Sequence, residues 1–281
     1  MNGRLTFEDG RYGRRAVLRA EWSEGLEKQL KEHEVVELEL NMAKGWRGAD
    51  LSFLTRLSFL EAFDILVMTI DDVTPIHALH KLRRLGLTTY CSTEIRFSEF
   101  PLLETCGIEW RPKAKSLFDC KTLKSLFVNR YKGKDTEPFS NLTNLESLAI
   151  LNAPIASLHG LSSLGKLKFL RLGALRRLDS LRGIENLKAL EVLDINTCRL
   201  VSSLAEVGSL FQLRKLFVNN CGDIETLKPL SRLTSLEWVT FSESTNIVDG
   251  DLSSLFQMRL SRIAFQNRRH YSHKREAFHA S

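Results

Sequence analysis

The stretch LEVLDINTCRL at residues 190 to 200 returns as LRKLFVNNC at 213 to 221 and stands earlier as LESLAILNA at 145 to 153. The first apolar residue of each copy falls at Val35, Leu60, Leu82, Leu103, Leu123, Leu145, Leu167, Leu190, Leu213, Leu236 and Leu260. The period is about 22 residues, and each copy opens apolar-x-x-apolar-x-apolar. VVELEL, LRRLGL, LKSLFV, LKFLRL, LEWVTF and LSRIAF are examples. A unit this short cannot bury a core alone. Eleven of them can share one apolar interior if they stack.

The second half of a unit keeps a different spacing. Ile155, Leu158, Leu161 and Leu164 lie three apart, and so do Leu175, Leu178, Leu181, Ile184 and Leu187. Threefold spacing suits tight turns and short 3₁₀ segments, whereas the alternation before it suits a brief strand. The prediction is a parallel sheet with strands about 4.8 Å apart and one face open to solvent.

These units resemble leucine-rich repeats, pattern LxxLxLxxN/C, of the short class seen in internalins and in a phosphatase regulatory subunit. The resemblance covers residues 35 to 265. It implies an α/β right-handed solenoid. A curved parallel sheet would form the concave face, with turns and short 3₁₀ or irregular helices on the convex one. The chain departs from the pattern at the turn position, where the family usually carries Asn. That position holds Ala43, Met68, Tyr90, Arg111, Tyr131, Ala153, Leu175, Cys198, Cys221, Ser244 and Arg268. Only Cys198 and Cys221 keep the Asn-or-Cys rule, so the early repeats are expected to satisfy their backbone groups in other ways.

An open solenoid needs covered ends. Residues 1–34 are expected to form an N-terminal cap. Asp9-Gly10 marks a hairpin turn, and WSEGLEKQLKEHE (22–34) reads as an amphipathic helix with Ser23 as N-cap. Glu24–Lys28 and Glu27–Lys31 are its expected ion pairs. Residues 35–265 form the repeat region. Residues 266–281 are a basic, polar tail, too short for a second domain and expected to be dispensable.

The chain carries no GxGxxG, GxxxxGK[ST], GxSxG or HExxH sequence. His77 and His80 lack a third ligand nearby, and Cys198 and Cys221 fall where a small buried side chain fits better than a nucleophile. No enzyme activity and no cofactor or metal is expected. The five cysteines are odd in number and form no CxxC pair. No apolar run approaches the ~18 residues of a membrane helix, and the first residues do not read as an export signal. A cytoplasmic monomer is the expectation. Net charge is +6 with pI about 9.1. The basic residues of the tail, with Arg83, Arg84, Arg111, Lys113 and Lys115, do not form one column, which argues against a nucleic-acid partner.

Function then falls to the open sheet face. The third, fifth, seventh and eighth positions of each repeat should point outward there. The fifth column includes Phe127, Arg171, Asp194 and Phe217. The third includes Phe169, Lys215 and Trp238, and the seventh Asn129, Asn196 and Asn219. Outward aromatics beside an Arg are the composition of an interface hot spot. The residues thus predict a protein-binding module: an adaptor, a scaffold or an inhibitor. An immunity protein that neutralises a toxin or enzyme is the sub-class kept alongside. The identity of the protein partner is not written in the sequence.

Overall fold

The computed structural model describes residues 4–258 and 260–279. The chain divides into two compact units, Met1–Val128 and Asn129–Ser281.

The N-terminal unit opens with a hairpin. Strands β1 (Leu5–Asp9) and β2 (Arg14–Leu18) are antiparallel, closed by Gly10 N–H to the Gly13 carbonyl at 2.8 Å. Helix α1 (Gly25–Glu32) buries Leu26 and Leu30. Ser23 is not its cap: the N-cap is Glu24, with no side-chain bond, and Ser23 Oγ instead accepts from Arg4 at 3.3 Å. Of the two expected ion pairs Glu27–Lys31 forms at 2.8 Å, and the other lysine, Lys28, pairs with Glu32 at 3.6 Å. Trp22 lies before the helix and stacks on Phe53, centroids 4.0 Å apart.

Strand β2 then pairs parallel to the first repeat strand, β3 (Val35–Asn41), which is followed by β4 (Ala62–Leu66), β5 (Arg84–Thr88) and β6 (Thr105–Glu109), each parallel to the one before. Glu37 stands on the open side of β3 yet is only 1% exposed. The hairpin turn covers it, and Tyr12 N–H and Arg15 donate to its carboxylate. Strand β7 (Ser125–Asn129) spans the boundary between the two units.

The C-terminal unit carries β8 (Ser147–Leu151), β9 (Phe169–Gly173), β10 (Val192–Asn196), β11 (Lys215–Asn219), β13 (Trp238–Ser242) and β15 (Arg262–Phe265), parallel in that order. Two short strands, β12 (Asp223–Ile224) and β14 (Asn246–Ile247), make a separate parallel pair. The leucine triplets become tight turns. Leu161 N–H bonds to the Leu158 carbonyl and Leu164 N–H to Leu161, both at 2.9 Å, around the 3₁₀ segment His159–Ser163. Their side chains are buried with the fourth and sixth residues of each repeat. Burial of a Leu contributes roughly 1.5–3 kcal/mol, so stability comes from neighbours in the stack rather than from any single repeat.

The turn slot is filled in several ways. Cys198 Sγ–H donates to the Leu172 carbonyl at 3.6 Å and Cys221 Sγ–H to Ile195 at 3.5 Å, each tying its repeat to the previous one. In the next repeat Ser244 is exposed and Thr245 takes the slot one residue later. It donates to Val218 O at 2.8 Å and accepts from Cys221 N–H at 3.0 Å. Tyr90 is likewise 56% exposed, and Cys91 is buried in its place. Arg111 is only 3% exposed. Its guanidinium donates to Cys91 Sγ at 2.8 Å and to the Thr89 carbonyl and hydroxyl at 3.0 and 2.9 Å. A guanidinium here does what an Asn side chain would do: it satisfies buried backbone.

The residues after β15 pack back onto the last repeats. Tyr271 is 5% exposed, edge-on to Phe241 and Phe265, and its hydroxyl accepts from Ile247 N–H at 3.0 Å. Ser272 Oγ accepts from Leu252 N–H at 2.9 Å. Phe278 lies edge-on to Phe265, and His273 stacks on Phe256 of the short helix α2 (Ser253–Phe256).

Candidate functional site

On the C-terminal unit the pairing puts Ala149, Arg171, Asp194, Phe217, Thr240 and Ala264 in one row across the strands. The adjacent row is Ser147, Phe169, Val192, Lys215, Trp238 and Arg262. Both alternate with the buried fourth and sixth residues, so both face away from the interior.

Phe217 and Trp238 occupy diagonal positions and meet edge to face, with centroids 5.0 Å apart. The Arg262 guanidinium sits 4.2 Å from the Trp238 ring centroid, and the Lys215 ammonium 5.6 Å from it. The indole N–H donates to Thr240 Oγ1 at 3.0 Å. A cation over an aromatic face adds about 0.5–1 kcal/mol at exposed sites. Arg262 was absent from the residues singled out in the sequence. The column arithmetic that placed Trp238 also places Arg262, but at the last repeat, where no aromatic drew notice.

Arg171 Nε lies 3.2 Å from Asp194 Oδ2, in the same row as Phe217 on the two preceding strands. Burial raises the Asp194 carboxyl above its ordinary value, and Arg171 offsets part of that rise. Phe169 is half-buried in the adjacent row. Asn196 and Asn219 belong to an amide and hydroxyl network: Thr197 donates to Asn196 at 2.7 Å, and Ser242 donates to Asn219 at 2.8 Å. Asn129 Oδ1 accepts from Asn152 at 2.8 Å. Phe127 belongs to the N-terminal unit, on β7, and is 41% exposed.

At the eighth position the backbone turns left-handed in six successive repeats. Arg130, Asn152, Ala174, Thr197, Asn220 and Glu243 have φ between 54° and 59°. The N–H groups of the first five bond to the seventh-position carbonyl of the following repeat at 2.8 to 3.2 Å. The ladder holds residues that carry a β-carbon in a region costing roughly 1–2 kcal/mol each.

The other candidates carry no assembled chemistry. His77 is buried, and its Nε2 accepts from Arg96 N–H at 3.0 Å, while His80 is on the surface beside Glu99. Cys198 and Cys221 are fully buried, and burial pushes their thiols up to about 12 and about 11. Among the described residues no group of three or more His, Cys, Asp or Glu is placed to hold a metal. Among them, too, no helix is long and apolar enough to cross a membrane.

No protein-family model and no curated protein matches the chain. Solved structures do. An internalin (inlF) from Listeria monocytogenes superposes with a TM-score of 0.68 at 21% identity, covering 83% of this chain and 68% of its own. Internalin C2 from the same species gives 0.50 at 17% identity, covering 76% of this chain and 84% of its own. These likenesses concern the fold. The parallel strands, short 3₁₀ turns and few helices are those of leucine-rich repeats.

Proposed function

We propose that this leucine-rich repeat chain is a non-catalytic module that grips a protein partner on the open sheet face of its C-terminal unit. The carrying observation is the Phe217–Trp238 pair. Both rings stand on the face away from the interior, half-exposed, and Trp238 is held by Arg262, Lys215 and Thr240. A rigid aromatic anchor costs little entropy to bury, and Trp, Tyr and Arg dominate interface hot spots. The Arg171–Asp194 pair and Phe169 extend the patch across neighbouring strands. Five free cysteines suit a reducing, cytoplasmic setting for an adaptor, scaffold or inhibitor.

The test starts by capturing the partner from native lysate through crosslinking. Calorimetry then compares the wild type with Phe217→Ala and Trp238→Ala. Each should weaken binding by about 2 kcal/mol, roughly thirtyfold. Unchanged affinity in both variants would sink the assignment.

A further inference from the structure

Beside that patch, where the chain leaves the strands of the C-terminal unit, lies a cleft of about 530 Å³. Arg130, Lys132, Asn152, Pro154, Arg176 and Arg177 line it, and no carboxylate does. Lys132, Arg176 and Arg177 are exposed and enter no ion pair among the described residues. Several cations elsewhere on the surface are paired. Arg171, Arg214, Lys168 and Lys124 each have a carboxylate within 3.2 Å.

The left-handed row explains the gathering. The chain turns at Arg130, Asn152 and Ala174, and the backbone N–H at each bends back to the next repeat. The residues after the turn are thereby delivered to one edge. Lys132, Pro154, Arg176 and Arg199 hold the tenth position of successive repeats, and Arg177 the eleventh. Lys132 and Arg176 are two coils apart, about 10 Å at the strand spacing of a sheet. Alternate side chains of an extended peptide repeat about every 7 Å, so carboxylates along one peptide can meet both cations.

We infer that this edge is a second contact, which takes an acidic, extended segment of a protein. The inference rests on the reading that the chain binds protein, and it names the chemistry of a contact separate from the aromatic patch. Nucleic acid fits less well for two reasons. Single strands are held by stacking bases on aromatic rings, and Ala153, Pro154 and Ala174 supply no ring here. The basic run is also short: Asp223 and Glu243, both exposed, follow on the same edge and would repel a continuing phosphate backbone.

The probe is a fluorescein-labelled peptide of alternating Asp or Glu with Gly or Ser, about twelve residues long, read by fluorescence anisotropy at about 50 mM and about 300 mM salt. A single-stranded DNA of equal charge and a Lys-for-Glu peptide run beside it. The acidic peptide should bind at low salt and release at high salt. The double change Arg176→Ser with Arg177→Ser should weaken it about tenfold, and Lys132→Glu should do the same. Phe217→Ala should leave it unchanged. These side chains are exposed, so thermal melts should not move. No binding, binding indifferent to both the double change and Lys132→Glu, or DNA held more tightly than the peptide would each overturn the inference. Peptide binding as expected beside a partner indifferent to Phe217→Ala and Trp238→Ala would leave this edge standing and remove only the open-face patch.

Discussion

The phenyl ring of Phe217 and the indole of Trp238 meet edge to face, with the ring planes at 81°. Such pairs are worth about 0.5–1.5 kcal/mol beyond their buried area. A double-mutant cycle in chemical denaturation should therefore show Phe217→Ala and Trp238→Ala each costing about 1–2 kcal/mol, with a coupling near 1 kcal/mol. A loss of about 3–5 kcal/mol in either single variant would mean that the ring serves the core rather than the surface.

Tyr271 joins the aromatic cluster of Phe241 and Phe265 and accepts a backbone N–H through its hydroxyl. Deleting residues 267–281 uncovers those rings and orphans Ile247 N–H. We expect the melting temperature to fall by several degrees, and Tyr271→Ala alone to cost about 3 kcal/mol. An unchanged melt after the deletion would show that these contacts add nothing.

Cys198 and Cys221 should resist alkylation. The thiolate is the reactive form, and burial holds both thiols above pH 10, at about 12 and about 11. Native-state labelling at pH 8 should modify them far more slowly than labelling in denaturant. Cys→Ser at either site should cost about 1–2 kcal/mol by burying a more polar group. Equal rates in the two conditions would contradict the burial.

His77 gives stability a definite pH dependence. Burial lowers its proton affinity, and the neighbouring Arg96 guanidinium lowers it further, against the opposing pull of Glu99 and Glu94. The folded value lies below the unfolded one, near 6.5, so the unfolded chain takes up the proton first. The contribution is present above about 6.5 and is lost as pH falls through the folded value. Urea melts from pH 7 to pH 5 should show this decline, and His77→Gln should flatten it. The same slope in the variant would place the titration elsewhere.

The strands and rows were legible because a repeated spacing is self-checking. A slip of one residue would send Leu193 and Ile195 outward and Asp194 inward, against eleven copies of the same pattern. What escaped notice lacks that redundancy. Tyr271 and Phe278 are isolated aromatics in a polar stretch and sit outside any period. The slots of Cys91 and Thr245 each fall one residue late, and only the hydrogen bonds reveal the shift. A buried Arg111 contradicts composition until its three acceptors are seen. Lys132, Arg176 and Arg199 share a repeat position, but a proline interrupts the column and hides it from a search for basic runs. The aromatic patch itself was readable as far as Phe217 and Trp238. Its cationic clamp at Arg262 was not, because cation–π geometry depends on rotamers.

The left-handed turns also make the chain a ruler with interchangeable segments. Asn152, Ala174, Thr197 and Asn220 share φ values of 54°, 54°, 57° and 55°. Excising residues 175 to 197 would join Ala174 to Cys198 without asking either side of the junction for a new dihedral angle. The donor at Ala174 would pass from the carbonyl of Asn196 to that of Asn219, its counterpart one coil on. The product would lose one strand, about 4.8 Å of sheet, and keep its hydrogen-bond ladder closed.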